Sequence, residues 1–254
     1  VWDTELHYWE QKKETLVFYA SEFQKIKNGI NIDGVYISGW AYYHINVFVT
    51  PIPHKVWNPL KNDYDSEDKI INPPLRDSDW MLFENRALQE KTKTLFMFVA
   101  ATRRAAKTTF NACHLCHGIT IGKNKLVCAG GSSTDLGHVR DALLVHFQNV
   151  NPAFRIDRLG TDWEKGVIFG IKSKDNKDIP NSILKIANLD AGGNKKSEIL
   201  AGFTPDAFIL DEVMKIPFKS QLEGFKPALD SPYGKRCVAI LSGCVCAGTK
   251  VYTN

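Results

Sequence analysis

The segment ATRRAAKT at 101–108 ends in a lysine followed by a hydroxyl residue, and it directly follows the apolar run LFMFVA at 95–100. Its spacing is that of the Walker A phosphate-binding loop, G-x-x-x-x-G-K-[ST], with alanine at both glycine positions. The chemistry needs this spacing because a turn from strand into helix aims several backbone N–H groups at a β-phosphate. Lys107 would reach the β- and γ-phosphates of ATP, and Thr108 would present its hydroxyl to Mg²⁺ at the start of the helix. Ala101, Thr102, Ala105, Ala106, Lys107, Thr108 and Thr109 are therefore the candidate nucleotide contacts. A Cβ at Ala106 crowds the approach of the β-phosphate, and it strains the turn if φ there must be positive.

A second run, AFILDE at 207–212, is a short apolar strand ending in Asp211 and Glu212. A buried strand of this kind, in the form of a Walker B motif, carries Asp211 to the carboxyl edge of a sheet. There it can hold Mg²⁺ through water, while Glu212 activates an attacking water as general base. Asp-Glu after an apolar run is, alone, a common solvated strand end. Both motifs in this order, each behind its own strand, point to a P-loop nucleotide hydrolase. Arg103 and Arg104 stand inside the loop, where either can swing toward the γ-phosphate as a finger supplied in cis, or simply solvate the loop.

These residues need a sheet whose carboxyl edge they share. Further short apolar runs supply it: LVCA (126–129), VIFGI (167–171), ILKIANL (183–189) and CVAILSG (237–243). Several show no polar alternation, as expected of strands covered on both faces, so the spacing predicts an α/β fold with a mostly parallel central sheet flanked by helices. The stretches at 170–182 and 190–198 read as loops or hairpin turns. Upstream, Trp9, Leu16, Val17, Tyr19, Phe23 and Ile26 fall at helical spacing, followed by a turn at Asn28 and Gly29. GVYISGWAYYHINVFVTPIP (34–53) reads as one or two strands closed by prolines, and DSDWMLFENRALQEK (77–91) as a helix with Asp77 or Ser78 as N-cap.

The composition, 44% hydrophobic and 24% charged over 254 residues, is that of an ordinary globular chain and excludes disordered and fibrous classes. A net charge of +4 permits binding to a polyanion without marking a dedicated DNA clamp. No apolar run approaches the roughly 18 residues that cross a bilayer, and the N-terminus has neither the basic nor the apolar region of a signal peptide, so a soluble intracellular protein is expected. Six cysteines without a regular framework are expected to be reduced. The run C-H-L-C-H at 113–117 matches a c-type haem attachment pattern, but it falls on the helix leaving the phosphate loop with no export signal. Zinc at Cys113, Cys116 and His117 would need ligands from elsewhere, and helix packing accounts for them better.

The loop resembles the P-loop of the large terminase subunits of tailed phages, which typically carry an arginine four residues before the lysine, the position of Arg103. LRDSDWMLFENRALQEK (75–91) is similar to the helix that precedes the loop there and helps hold adenine, with Arg76 matching its basic position. The segment at 34–53 resembles an aromatic strand pair found in some phage terminases. ILAGFTPDAFILDEVMKI (199–216) looks like the family's Walker B region. AILSG (239–243), with Ser242 and Gly243, looks like its coupling motif, which senses the γ-phosphate and links hydrolysis to movement on DNA.

The resemblance implies a P-loop NTPase of the additional-strand (ASCE) type. It divides the chain into an extension at 1–74 leading to the adenine-binding region, an ATPase core at 75–243 and a segment at 244–254. It implies ATP and Mg²⁺ as cofactors, and hydrolysis that drives double-stranded DNA into a procapsid. It also implies a portal protein and a small terminase subunit as partners, assembly as a homo-oligomeric ring, action in the host cytoplasm at the procapsid portal, no membrane, and a nuclease domain beyond this chain. The rival readings are a helicase-like translocase, and a nucleotide-binding protein whose degenerate loop binds without turnover. The last residues, CVCAGTKVYTN (244–254), resemble the first block of an intein, with Cys244 as the nucleophile of an N-to-S acyl shift at Gly243; the alternative is plain continuation of the ATPase.

Overall fold

A computed structural model describes residues 4–92, 94, 96–101, 106–123, 125–131, 133–163, 166–171, 179–189, 204–213 and 238–244. The first helix, α1 (Thr4–Asn28), stops where Gly29 turns to φ 77° and donates its N–H to the Lys25 carbonyl at 2.8 Å. A left-handed residue is the common end of a helix, and glycine adopts it without a Cβ clash. A tight antiparallel pair, β1 (Ile30–Ile32) and β2 (Val35–Ile37), leads into α2 (Gly39–Asn46).

That helix corrects the expectation of strands across 34–53. Ser38 caps it, its Oγ accepting the Ala41 N–H at 3.2 Å, and helical spacing brings Trp40, Tyr43 and His44 onto one buried face. The β-preference of aromatic residues is a preference for a half-buried pleated surface, and here a fully buried helix face serves them better. Trp40 meets Phe83 and Phe110 with ring centroids 5.1 and 4.5 Å away. Tyr43 joins a buried chain of hydrogen bonds. The Val49 N–H donates to His146 Nδ1 at 3.2 Å, which assigns the ring proton to Nε2. Nε2–H then donates to the Tyr43 hydroxyl at 2.6 Å, and that hydroxyl donates to Thr120 Oγ1 at 3.0 Å. Burial keeps His146 neutral, its pKa pushed down to about 3.

The strand that opens at the end of this segment, β3 (Thr50–Asn58), runs through its prolines to pair with β4 (Asp63–Ile71) as an exposed two-stranded ribbon. Pro51 and Pro53 are two residues apart, so their missing N–H groups fall on the same, outer edge of the ribbon. The next helix, α3 (Asp77–Thr92), takes Arg76 rather than Asp77 or Ser78 as its cap position. The Asp79 carboxylate reaches back to the Arg76 backbone N–H at 3.1 Å, and grips its guanidinium through Nε at 3.0 Å and Nη2 at 3.1 Å.

The described core runs β5 (Phe96–Ala101), α4 (Lys107–Thr120), β6 (Lys125–Gly130), α5 (Ser133–Asn149), β7 (Asp157–Arg158), β8 (Val167–Ile171), β9 (Ile179–Asn188), β10 (Ala207–Asp211) and β11 (Val238–Cys244). Its strands form one seven-stranded sheet in the order β5-β11-β10-β6-β9-β8-β7. The five strands from β5 to β9 are parallel, and β8 and β7 add an antiparallel edge; β8 pairs antiparallel with β9 at either end of the stretch at 170–182, whose middle lies outside the described residues, as does the stretch at 190–198. Every residue of β10 is buried, as its uninterrupted apolar pattern requires. The last described strand, β11, is inserted between β5 and β10, which is the additional-strand arrangement.

The N-terminal elements are fitted to this core at close range. A Cβ at Gly39 would lie 2.1 Å from the Ile26 carbonyl oxygen, so only glycine lets the start of α2 touch the end of α1. Gly39→Ala is expected to lower stability by about 1–3 kcal/mol through overpacking, read as a lower urea midpoint; an unchanged midpoint contradicts this packing.

Candidate functional site

Parallel register brings the ends of β5, β11 and β10 to one edge. Ser242 in β11 sits opposite Val99 in β5, while Leu241 pairs with Leu210, one residue before Asp211. Asp211, 2% exposed, faces that edge and pairs in register with Gly130 of β6. The Ser242 hydroxyl donates to Asp211 Oδ1 at 2.6 Å, and Asn111 Nδ2 reaches both Asp211 Oδ1 at 3.2 Å and Ser242 Oγ at 3.1 Å. Burial raises the Asp211 pKa above its ordinary value, the Ser242 hydrogen bond opposes that, the neighbouring Glu212 adds to it, and Lys107 draws it back.

The turn into α4 is left-handed at its last residue: Ala106 has φ 51° and ψ 30°, and its carbonyl accepts the Phe110 N–H at 3.0 Å to start the helix. This is the positive φ that makes glycine the usual residue there, and alanine holds it at a cost. Lys107 follows as the first helical residue. Its Nζ lies 3.3 Å from Glu212 Oε1, with both side chains about nine-tenths buried. Glu212 itself is left-handed at φ 49°, so the chain leaves β10 by a sharp bend that turns this carboxylate toward the lysine.

The structure thus unites Lys107, Asp211, Glu212 and Ser242, four candidates from distant parts of the sequence. Thr108 and Thr109 lie half-buried in the first turn of α4. Thr102, Arg103, Arg104 and Ala105 lie outside the described residues, as do 245–254, and Ala101, Gly243 and Cys244 are described as strand backbone, Cys244 opposite Ala101. Arg76 is held by Asp79 at the start of α3 and makes no described contact with the other candidates. Cys113 and Cys116 are fully buried in α4 with free thiols, packed into the core. Asn111 was not singled out from the sequence. It stands one helical turn after Lys107, and that spacing alone places it on the face that meets the sheet edge.

No family model matches the sequence, and no curated protein matches it. Among solved structures the fold is similar to the large terminase ATPase domain of Thermus phage P74-26, with TM-score 0.49, 13% identity, and coverage of 66% of this chain and 68% of that one. It is also similar to the HK97 bacteriophage large terminase, with TM-score 0.44, 17% identity, and coverage of 68% and 34%. A third likeness is to the large terminase of a thermophilic bacteriophage in complex with ADP, with TM-score 0.43, 13% identity, and coverage of 60% and 34%. The chain therefore spans about a third of the longer two. At these identities and scores the likenesses lend the site no weight, and its reading rests on its own geometry. Among the described residues no helix is long and apolar enough to cross a membrane.

Two substitutions test the geometry without any ligand. Ala106→Gly should stabilise the chain by up to about 1 kcal/mol by relieving the left-handed alanine, whereas a glycine placed elsewhere near a helix start would cost stability. A lower urea midpoint contradicts the positive φ. Because the folded pKa of Asp211 is raised, its ionised form costs stability at neutral pH, and that cost disappears as pH falls through the raised value. Asp211→Asn should therefore be the more stable protein at neutral pH, with the gap closing in acid. A parent chain more stable than Asp211→Asn at neutral pH contradicts the buried charge.

Proposed function

We propose that this chain is the ATP-hydrolysing motor domain of a viral large terminase subunit, which drives double-stranded DNA into a procapsid. The observation that carries the reading is the ion pair at the sheet edge. Lys107, at the mouth of α4, lies 3.3 Å from Glu212, and Glu212 directly follows the buried Asp211 that Ser242 and Asn111 hold. A lysine and a helix N-terminus suit the phosphates of ATP, and two adjacent carboxylates of different environment suit divided roles. Mg²⁺ would be held by Thr108 and Asp211, hard oxygen donors of the kind it takes, and would neutralise phosphate charge.

Under this reading Lys107 keeps Glu212 occupied until nucleotide arrives. Phosphate oxygens then compete for the lysine, and the freed Glu212 carboxylate takes the proton of the attacking water. Ser242 touches the carboxylate beside Glu212 and belongs to the strand next to β5, so a shift of β11 on hydrolysis would be felt at both motifs. Arg103 or Arg104 would supply the finger charge, and Arg76 would lie on the adenine side. The full enzyme would work as a homo-oligomeric ring with a portal protein and a small terminase subunit, in the host cytoplasm. The left-handed Ala106 favours a second reading, a nucleotide-binding protein that turns over slowly or not at all.

ATP turnover by the chain, with and without duplex DNA, separates these. Lys107→Ala and Glu212→Ala should each reduce turnover at least about 100-fold, the scale of a lost general base, while Ala106→Gly keeps or raises it. Turnover indifferent to Lys107 and Glu212 contradicts the hydrolase. Nucleotide binding without turnover in every version, the glycine variant included, favours the binding protein.

A further inference from the structure

A cavity of about 80 Å³ lies away from the sheet edge, between the end of α1, the first turn of α2, α3 and the middle of α4. Its walls are strongly cationic. Arg86 from α3, Lys27 from α1 and Lys123 beyond α4 line it together with one carboxylate, Glu90. That carboxylate is itself drawn outward, more than half exposed, while its Arg86 partner, at 2.8 Å, is 3% exposed. His114 also lines the cavity at 2% exposure, and neither of its ring nitrogens has a hydrogen-bond partner among the described residues. Its ring meets Trp40 edge-on, with centroids 4.7 Å apart. Buried polar side chains are nearly always satisfied, and an unsatisfied one in a cavity wall asks for a polar occupant.

The same space receives a helix start. Ser38, Gly39 and Trp40 line it, and the Ser38 hydroxyl is spent on the Ala41 N–H. The N–H groups of Gly39 and Trp40 belong to the first turn of α2 and have no helical partner, and the positive end of the helix dipole lies there. Burial, Arg86 and Lys123 all hold the His114 pKa well below its usual value, so the ring is a neutral donor in a positive field that an anion would offset.

We propose that this cavity binds a small tetrahedral oxyanion of the phosphate class, held by His114, Arg86 and the first turn of α2, with Lys27 and Lys123 at its mouth. Room for several water-sized groups suits an ion of that size and excludes a nucleoside. The site is distinct from the proposed nucleotide residues: His114 lies about two turns along α4 from Lys107. It stands whether or not ATP binds at the helix mouth. Occupancy would tie α1, α2 and α3 to the flank of the helix that carries Lys107.

Inorganic phosphate is the probe, titrated calorimetrically into the Lys107→Ala chain so that the phosphate loop does not contribute. One equivalent is expected to bind and to raise the Tm. Lys123→Glu and His114→Phe, each added to that background, should weaken binding at least about tenfold, the loss expected for one charge-assisted contact. Lys12→Glu, about four turns back along α1 from Lys27, should leave it unchanged. Lys123→Glu is half-buried at the rim and decides the matter even if the core variant His114→Phe loses its native circular dichroism. Absence of binding to Lys107→Ala, or equal affinity after Lys123→Glu, overturns the proposal.

Discussion

A carboxylate 2% exposed must be met by donors or surrender its charge, and the arrangement around Asp211 follows from that requirement. Ser242 can donate to it only because β11 lies directly beside β10, and Asn111 can reach both only because α4 leaves β5 and passes over the sheet edge. The insertion of β11 between β5 and β10 is thus more than a matter of topology. It places a hydroxyl where the acid needs one, and it separates the helix mouth from Asp211 by one strand's width. Breaking either donor would leave a buried charge short of partners, which is costlier than losing an exposed contact.

Strain gathers at the same edge. Ala106 and Glu212 are two of the four non-glycine residues with positive φ among the described residues; Ala106 directly precedes the lysine of the Lys107–Glu212 ion pair, and Glu212 is its carboxylate. The other two, Asp33 and Asn62, sit in the turns of the β1–β2 and β3–β4 pairs, where short polar side chains tolerate that conformation. An alanine and a glutamate have no such excuse. Ala106 stands at the head of the buried α4 and Glu212 at the end of the buried β10, and a strained residue persists where its packed surroundings hold the turn, the condition under which functional sites store strain. The N-terminal elements contribute to that rigidity: Tyr43, His146 and Thr120 link α2, α5 and α4 through buried hydrogen bonds.

Much of this was legible in the sequence because it depended on local pattern. The apolar runs foretold β5, β6, β8, β9, β10 and β11 as strands, and the unbroken apolar run of β10 foretold its complete burial. The order of Lys107 and Asp211, each behind such a run, foretold that they would share an edge, and the doubt over a positive φ at Ala106 named the strain that is found there. What failed was whatever depended on partners distant in sequence. Trp40, Tyr43 and His44 favour a strand by residue type, and only Phe83, Phe110 and His146 from later elements make the helix the better burial. The grip of Asp79 on Arg76 and the reach of Asn111 to Asp211 are likewise tertiary facts, although the one-turn spacing of Asn111 from Lys107 held a usable hint.

On the proposed function, phosphate takes Lys107 from Glu212. A crystal structure of the chain with a non-hydrolysable ATP analogue and Mg²⁺ tests it most directly. Phosphate oxygens are expected at the start of α4 in contact with Lys107 Nζ, with a Lys107–Glu212 separation longer than 3.3 Å. An analogue bound elsewhere, or Lys107 still paired with Glu212 beside a bound analogue, would contradict it.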